Sequence, residues 1–546
     1  MDDAPLELGR KALSRWDWGA AYQQLSRADA EKGLGREDLE RLAVAAYLTG
    51  RDADAVAAWT RAHKAWAAHG ECERAARCGF WIGLSLLLGG EPVQAGGWLS
   101  RTQRLLEGKA PVCAERGYLL VLAGLLSMGQ GDAERADASF ERALRLADAI
   151  GETELGALGR VSQGQALIQS QRPAEGVALL DEAMVAVTAG EVSPVMAGIL
   201  YCAVINTCQR IFDLQRSREW TAALRQWCDG QPTLVAFRGA CLVHRSEILQ
   251  LQGEWPEALE EAVRACEHLA QHSDRSLARA FYQRAELHRL RSEFDLAGQM
   301  YLEAGRRGAE PQPGMSLLRL AQGDLDAAAA SIRRVVNEAG NRQGPASGLP
   351  RVQVLGPFVE IMLAVGNLEA AHAAVGELGR IAAHSDAPFL RAIFGQAAAA
   401  VQLAAGNAET ALASGREAWM TWQQLEVPYE AARVRVLIAR ACERLGDLDT
   451  ARLHLEAAAS VFERLGAAAD LSRVRGRAQQ EPTSGLTRRE LAVLALLARG
   501  QTNRQIAAEL HISEHTVARH LSSIYGKIGV ASRSAATAFA FQHGLV

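Results

Sequence analysis

The chain has 546 residues, of which 49% are hydrophobic and 22% charged, so it can bury a core and is not intrinsically disordered. Alanine dominates while valine and isoleucine are sparse, which favours helices and excludes all-β and collagen-like architectures. The cysteines are few and odd in number, nine in all, which excludes a disulfide-stapled secreted module. The net charge of −4 gives no overall indication of binding to nucleic acid or to a membrane surface.

The N-terminal stretch MDDAPLELGRKAL is acidic and lacks the basic and apolar regions of a signal peptide. The longest apolar runs, from Phe80 and from Tyr118, are shorter than the roughly 20 residues that cross a bilayer. We therefore expect a soluble, cytoplasmic protein with no membrane partner.

One pattern recurs along most of the chain: a glycine, a short acidic or polar stretch, a small residue five positions after the glycine, and an apolar helix face. Its clearest copy is GDAERADASFERALRLADAIGE, starting at Gly131. The small residue recurs mostly at intervals of 39 to 41, at Ala55, Ala95, Ala136, Gly176, Ser217, Ala258, Ala297, Ala328, Ala371, Ala411 and Ala451, with a weaker copy at Ala21.

The pattern has a physical interpretation. Glycine ends one helix, the acidic element caps the next, and the small residue lets the two helices approach closely. Because one helix pair cannot bury its apolar face alone, the pairs are predicted to stack into a solenoid.

This region resembles tetratricopeptide repeats. Gly124, Ala136, Phe140 and Ala143 lie at that family's glycine, alanine, aromatic and alanine spacings, although the period exceeds the usual length of roughly 34 residues. The repeat is similar to the long version found in large bacterial transcription regulators. The resemblance covers roughly residues 10–466 and implies an architecture rather than a ligand. We predict about 12 helix pairs over residues 1–466.

The repeat is irregular at 305–350, where the interval falls to 31 and then rises to 43. This stretch is rich in glycine and proline, which predicts a bend or interruption and a longer loop between Asn337 and Arg351. The loop could be a hinge or line a ligand, but a tolerated surface insertion is the simpler interpretation.

Two residue types invite a functional interpretation. Five cysteines between Cys202 and Cys266 could form a redox switch, but buried packing is the favoured interpretation. The N-terminal tryptophans could stack on a ligand, although filling the core between repeats is favoured; they are Trp16, Trp18, Trp59, Trp66, Trp81 and Trp98.

The C-terminal segment differs in charge from the rest of the chain. From Pro482 onward there are seven Lys or Arg and three Glu, which gives 7 − 3 = +4 and leaves −4 − 4 = −8 for the remainder. Basic charge concentrated on a small module is typical of nucleic-acid binding.

The same segment predicts four helices. Thr487 and Glu490 form a capping box before LAVLALLARG, and Thr502 caps a short second helix. A tight connection at Ile512-Ser513 precedes EHTVARHLSSIYGKIGV, and SRSAATAFAFQHGLV closes the chain. Two short helices joined by a tight turn predict a helix-turn-helix, whose second helix enters the major groove. The apolar face of that second helix is predicted to be Val517, Leu521, Ile524 and Ile528. The residues predicted to face outward are Glu514, His515, Thr516, Ala518, Arg519, Ser522 and Ser523.

Residues 485–546 resemble the LuxR-type (GerE- or NarL-type) DNA-binding domain. The matching residues are Leu486-Thr487, Arg489-Glu490, Val493-Leu494, Leu497, Gly500, Asn503, Ile506-Ala507, Leu510, Ile512-Ser513, Thr516-Val517, His520, Ile524, Lys527, Gly529-Val530 and Ser532-Arg533. The resemblance implies a four-helix domain that contacts DNA through its third helix and often dimerises through its fourth. The predicted fold is therefore all-α, a repeat solenoid followed by a linker at 467–484 and this domain.

The candidate DNA-binding residues are Arg488, Arg489, Asn503, Arg504, Ser513, His515, Thr516, Ala518, Arg519, Ser522, Ser523, Lys527 and Arg533. Ala518 departs from the family, which commonly has Lys or Arg there, so Arg519 is the charged candidate for base contact and the other cations would anchor the DNA backbone. A metal site at His511, His515 and His520 is conceivable, but surface or packing roles are favoured.

No phosphate-binding loop, metalloprotease motif or nucleophile elbow occurs in the chain, so no catalytic residue, cofactor or metal is expected. Our main hypothesis is a transcription regulator that binds double-stranded promoter DNA. Its further expected partners are a second copy of itself in a homodimer, a small-molecule, peptide or protein effector on the repeats, and RNA polymerase. The alternatives are an interaction scaffold that binds DNA mainly non-specifically, and a redox sensor.

Overall fold

The computed structural model describes residues 4–108, 112–170, 172–231, 233–270, 274–341, 351–383, 385, 387–480 and 486–542. Within them every regular element is a helix, which confirms the all-α fold class. The chain divides into two compact units, Met1–Ala467 and Ala468–Val546.

The first unit contains 24 of the described helices. The first twelve are α1 (Ala4–Leu13), α2 (Trp18–Lys32), α3 (Arg36–Leu48), α4 (Asp52–Ala68), α5 (Cys72–Leu88), α6 (Pro92–Leu105), α7 (Ala114–Gly129), α8 (Ala133–Ile150), α9 (Thr153–Gln169), α10 (Pro173–Thr188), α11 (Pro194–Arg210) and α12 (Leu214–Asp229). The next twelve are α13 (Arg238–Gln252), α14 (Trp255–Leu269), α15 (Asp274–Leu290), α16 (Phe294–Arg306), α17 (Gly314–Gln322), α18 (Leu325–Asn341), α19 (Arg351–Ala364), α20 (Leu368–Ala383), α21 (Pro388–Ala404), α22 (Ala408–Gln424), α23 (Pro428–Leu445) and α24 (Leu448–Leu465).

These helices pack as consecutive pairs, each with one predicted small residue on its second helix. All twelve small residues, from Ala21 in α2 to Ala451 in α24, are buried. In the fourth pair a Cβ added to Gly124 of α7 would overlap the ring of Phe140 in α8, and Ala136, Phe140 and Ala143 are completely buried. The small residues therefore lie on the buried face of the second helix, and in the fourth pair the two helices leave no room for a side chain at position 124.

The predicted acidic caps form where the residue is short enough. Asp132 and Asp213 each accept a hydrogen bond from a backbone N–H in the first turn of α8 and α12. Glu254, at the same position before α14, makes no such bond. An aspartate oxygen thus supplies the cap, and the longer glutamate does not.

Two helices, α17 and α18, depart from the regular repeat where the spacing is irregular. The interval of 31 between Ala297 and Ala328 contains α17, which has only nine residues. The predicted loop begins later than expected, because α18 continues through Asn341 rather than ending near Asn337. The rest of that predicted loop, residues 342–350, lies outside the described residues.

The first unit also makes contacts between pairs that are far apart in sequence. The Trp18 Nε1–H donates to Oε1 of Gln231 at 3.0 Å, and the Val235 N–H donates to the Leu48 carbonyl at 2.9 Å. These bonds join the first and second pairs to the segment that connects α12 and α13.

Contacts between helix pairs that are far apart in sequence recur further along the repeat region. The rings of Phe212 and Phe389 stack with centroids 5.4 Å apart, and those of Trp255 and Tyr429 meet edge-on at 5.3 Å. Phe212 lies just before the second helix of the sixth pair and Phe389 in the eleventh pair, while Trp255 and Tyr429 belong to the seventh and twelfth. Successive turns of the solenoid therefore touch about five pairs apart, a feature that the sequence analysis did not anticipate.

The N-terminal tryptophans mostly fill the core. Trp18, Trp59 and Trp66 are buried, and Trp59 stacks on Trp81 with ring centroids 5.8 Å apart. Trp16 is exposed. Their arrangement matches the packing interpretation rather than a stacking surface for a ligand.

The second unit contains α25 (Ala468–Gln480), α26 (Arg488–Ala498), α27 (Asn503–Glu509), α28 (Glu514–Ile528) and α29 (Arg533–Gln542). Among the helices of the described ranges, none combines the length and apolar character that crossing a membrane requires.

The close contact at Gly124 is testable by substitution. Gly124→Ala should lower the free energy of unfolding by about 1–3 kcal/mol, because the added methyl group forces the buried Phe140 ring to shift. Urea titration followed by far-ultraviolet circular dichroism measures it. Gly129→Ala is the matched control, since a Cβ at Gly129 in the same helix meets no atom within 4 Å. Equal stability of the two variants would contradict the packing account.

Candidate nucleic-acid interface

The last four helices enclose an apolar core of their own. Val493 and Leu494 of α26, Ile506 of α27, and Val517 and Ile524 of α28 are all fully buried. This core fixes the position of α28, the helix predicted to contact DNA, relative to α26 and α27.

Side-chain caps define where these helices begin. The Thr487 hydroxyl accepts from the Glu490 N–H at 3.2 Å, and Glu490 Oε2 accepts from the Thr487 N–H at 2.7 Å. Thr502 and Gln505 form the same reciprocal arrangement at α27. Both predicted N-caps are confirmed, and the second is also a complete capping box.

A short turn links α27 to α28. His511 adopts a positive φ of 53°, and the Ile512 N–H donates to the Ala507 carbonyl at 3.0 Å. Ser513 then caps α28 by accepting from the Thr516 N–H at 3.1 Å. The turn and cap together set the angle at which α28 leaves α27.

One face of α28 is open to solvent. Between Glu514 and Ser522 the exposed residues are Glu514, His515, Ala518, Arg519 and Ser522. The opposite face supplies the buried residues of the core. The helix therefore presents a polar surface of small and charged side chains, as the sequence predicted for these five positions.

Ser523 corrects the predicted outward set. Its side chain is half-buried and its hydroxyl donates to Glu490 Oε1 at 2.6 Å, because position 523 faces α26. Thr516 is also half-buried, and its hydroxyl is hydrogen-bonded to that of Ser513 at 2.8 Å.

Glu490 is the buried acid that ties α28 to α26. Besides Ser523 it binds Lys527, whose Nζ lies 2.7 Å from Oε2. Burial disfavours the charged form, but the hydrogen bonds from Lys527, Ser523 and Thr487 outweigh it and lower the pKa of Glu490 to about 2. Lys527, predicted as a DNA-backbone anchor, thus neutralises a buried carboxylate within the domain.

Two other predicted anchors also bond within the domain. Arg533 donates to Asn503 Oδ1 at 3.1 Å and to the Gln501 carbonyl, and Arg489 donates to the Leu510 carbonyl at 2.5 Å. These bonds join α29 to the start of α27 and α26 to the turn. The side chain of Arg488 lies outside the described residues.

Arg504 and Arg519 are different. Both are exposed, and neither forms a hydrogen bond or ion pair with any part of the chain that the structure describes. Arg504 lies at the start of α27 and Arg519 on the open face of α28. They are the predicted site residues whose guanidinium groups are available to an external partner.

The histidines of this domain do not assemble into a cluster. His511 and His515 are exposed, His520 is half-buried, and no group of three His, Cys, Asp or Glu suited to a metal ion occurs in the described parts of the chain. The contacts of Glu490 were not predicted from the sequence. Ser523 and Lys527 lie 33 and 37 positions after Glu490, and contacts over such separations leave no periodic signal.

The Glu490 network predicts a pH-dependent stability. In the fragment 468–546, Glu490→Gln should lower the free energy of unfolding at pH 7 by roughly 1–3 kcal/mol, because it removes the charged acceptor of buried hydrogen bonds. Since the folded pKa is depressed, this difference should be complete above about pH 4.5 and shrink as the pH falls towards 2. Urea titrations at several pH values measure it, with the exposed Glu509→Gln as control. A difference independent of pH would contradict the network.

Comparison with known proteins gives matches to both units. Residues 484–540 match the family model described as bacterial regulatory proteins, luxR family, and residues 118–149 match the tetratricopeptide repeat. Among solved structures, a chain from the crystal structure of the APC/C hetero-tetramer Cut9-Hcn1 has a TM-score of 0.37 at 12% identity, covering 86% of this chain and 95% of that one.

Two curated relatives match the C-terminal part of this chain. The DNA-binding transcriptional activator DevR/DosR of Mycobacterium tuberculosis is 40% identical over 82 residues, which are 15% of this chain and 38% of that protein. The response regulator protein VraR of Staphylococcus saprophyticus is 42% identical over 89 residues, 16% of this chain and 41% of that protein. The match thus spans about two fifths of each relative. The chain carries a helix-turn-helix DNA-binding domain of the luxR family at its C-terminus and a tetratricopeptide-repeat region before it.

Proposed function

We propose that this protein is a sequence-specific transcription regulator whose repeat region receives a signal from a ligand or protein partner. The observation that carries the proposal is the open face of α28. It presents Arg519, which has no partner among the described residues, on a helix positioned by the core, the Ser513 cap and Glu490. A helix fixed to its domain on one face, with an unpaired arginine on the other, suits reading of base edges in the major groove.

The contacts divide by position. Arg519 is the candidate for a bidentate contact with guanine, and His515, Thr516, Ala518 and Ser522 offer weaker contacts to base edges or the thymine methyl group. Arg504 is the main candidate for contact with the DNA backbone. The further candidates are Ser513, Asn503, Arg488, Arg489, Lys527 and Arg533. Ser523 supports the helix from inside through its bond to Glu490.

The charge distribution supports the same assignment. The segment from Pro482 carries +4 and the rest of the chain −8. A polyanion such as DNA would be drawn to the C-terminal domain and repelled by the repeats.

Regulation follows from pairing of the DNA-binding domains. A homodimer on a two-fold symmetric promoter site fits this class of helix-turn-helix, with RNA polymerase as a further partner. An effector on the repeats would act by shifting the population of chains whose domains can pair on DNA.

The cysteines give little support to a redox sensor. Eight of the nine are buried, and burial raises the pKa of Cys208 to about 12 and that of Cys266 to about 11, which keeps both thiols protonated at neutral pH. The remaining candidates for a redox role are Cys228 and Cys241, which line one cavity of about 520 Å³, where Cys228 lowers the pKa of Cys241.

Two arginine substitutions test the DNA-binding assignment. Arg519→Ala should cost about 1–3 kcal/mol on the preferred site and relax discrimination at one base pair. Arg504→Ala should weaken binding to all sequences similarly and reduce the slope of log affinity against log salt by about one. Fluorescence anisotropy on the preferred and a scrambled duplex, at several salt concentrations, measures both effects.

Arg452→Ala is the matched control, because Arg452 is an exposed arginine of α24 in the repeat region. It should leave affinity and salt slope unchanged. If Arg519→Ala left base discrimination intact, the proposed role of α28 would be wrong.

A further inference from the structure

A cavity of about 690 Å³ lies where the seventh and the last two helix pairs of the solenoid meet. Gln252 and Glu254, at the junction of α13 and α14, form one side. The other side comes from α22, α23 and α24, which contribute two tryptophans, an apolar floor and two arginines. The floor consists of Val427, Pro428, Ala431, Ala432, Ala457 and Val461. The site is thus built from the contact between turns rather than from one repeat.

Arg435 is the unusual residue of this cavity. It is half-buried, yet no carboxylate or carbonyl in the described chain binds its guanidinium group. Burial lowers its pKa from the usual arginine value. A counter-charge stabilises a partly desolvated cation, because desolvation alone is unfavourable. Arg435 has no such counter-charge among the described residues.

Trp419 holds Arg435 in place. The guanidinium carbon lies 4.6 Å from the centroid of the Trp419 ring. Stacking of this kind orders the arginine without using its N–H donors. The planar fork of donors is therefore set in advance for a carboxylate or phosphate, the groups that it binds in a bidentate manner.

A second arginine adds positive charge to the cavity. Arg464 also lines the cavity, is exposed, and has no partner in the described ranges. Burial, together with the charges of Arg435 and Arg416, lowers the pKa of the neighbouring His454. Two carboxylates also line the cavity: Glu254 is exposed, and Glu426 is 3.3 Å from Arg218, which compensates its charge.

We propose that this cavity, which Arg464 also lines, binds a small organic anion, with its carboxylate or phosphate on Arg435 and an apolar body against Trp419, Trp422 and the floor. The volume fits a molecule of metabolite size. Because the walls come from two turns of the solenoid, the bound anion would stabilise their contact. The inference concerns binding alone and stands whether or not the chain regulates transcription.

The test is isothermal titration calorimetry of the full chain with matched probes: 3-phenylpropionate, phenyl phosphate, the uncharged 3-phenylpropan-1-ol, and inorganic phosphate. At least one aromatic anion should bind saturably at one site, at least about tenfold more tightly than the alcohol and than inorganic phosphate. The proposal would be overturned if neither aromatic anion bound saturably, or if the alcohol bound as tightly as the anions. Equal binding of inorganic phosphate would overturn the apolar part of the site.

Two variants locate the site. Arg435→Met should weaken binding of the anion by at least about tenfold, and the exposed Arg464→Met should weaken it measurably without a risk to folding. Arg452→Met, which removes an equal charge from the exposed face of α24, should change nothing. Without ligand, Arg435→Met should be at least as heat-stable as the parent chain, since it removes an unpaired, half-buried cation. Undiminished binding in both cavity variants would contradict the assignment.

Discussion

The close contact between the two helices of each pair is the constraint on which the repeat region depends. A small residue on the second helix, such as Ala136, is buried against its partner, and the facing Gly124 leaves room for the Phe140 ring. Twelve buried small residues, mostly 39 to 41 positions apart, give most neighbouring pairs similar geometry, so small rotations accumulate along the solenoid. That regularity allows residues about five pairs apart, such as Trp255 and Tyr429, to meet.

The C-terminal domain depends on a different kind of contact. Its core is small, and the buried Glu490 joins α26 to α28 through Ser523 and Lys527. The charged residues that were predicted to contact DNA therefore divide into two sets. Lys527 and Arg533 bond within the domain, whereas Arg504 and Arg519 extend from it. The first set positions the helix that carries the second.

Local patterns in the sequence predicted most of the fold. The helix pairs, the buried small residues, the caps at Thr487 and Thr502 and the order of the last four helices all follow from spacing and cap chemistry within short windows. The contacts between turns of the solenoid could not be predicted, because they join residues about 170 to 220 positions apart that share no periodic signal. The cavity at Arg435 was missed for the same reason. Ser523 was misassigned because helical periodicity alone does not reveal a buried acid on another helix.

Recognition of a defined DNA sequence by the C-terminal domain is what we propose for this protein. The most direct measurement is footprinting of the full chain on promoter DNA over a range of salt concentrations, with a chain truncated before residue 483 as control. The account predicts a discrete, two-fold symmetric protected site that persists at moderate salt and is absent with the truncated chain. Diffuse protection that salt abolishes everywhere at once would instead indicate a scaffold that binds DNA non-specifically. Sequence-selective protection by the truncated chain would contradict the assignment of DNA binding to this domain.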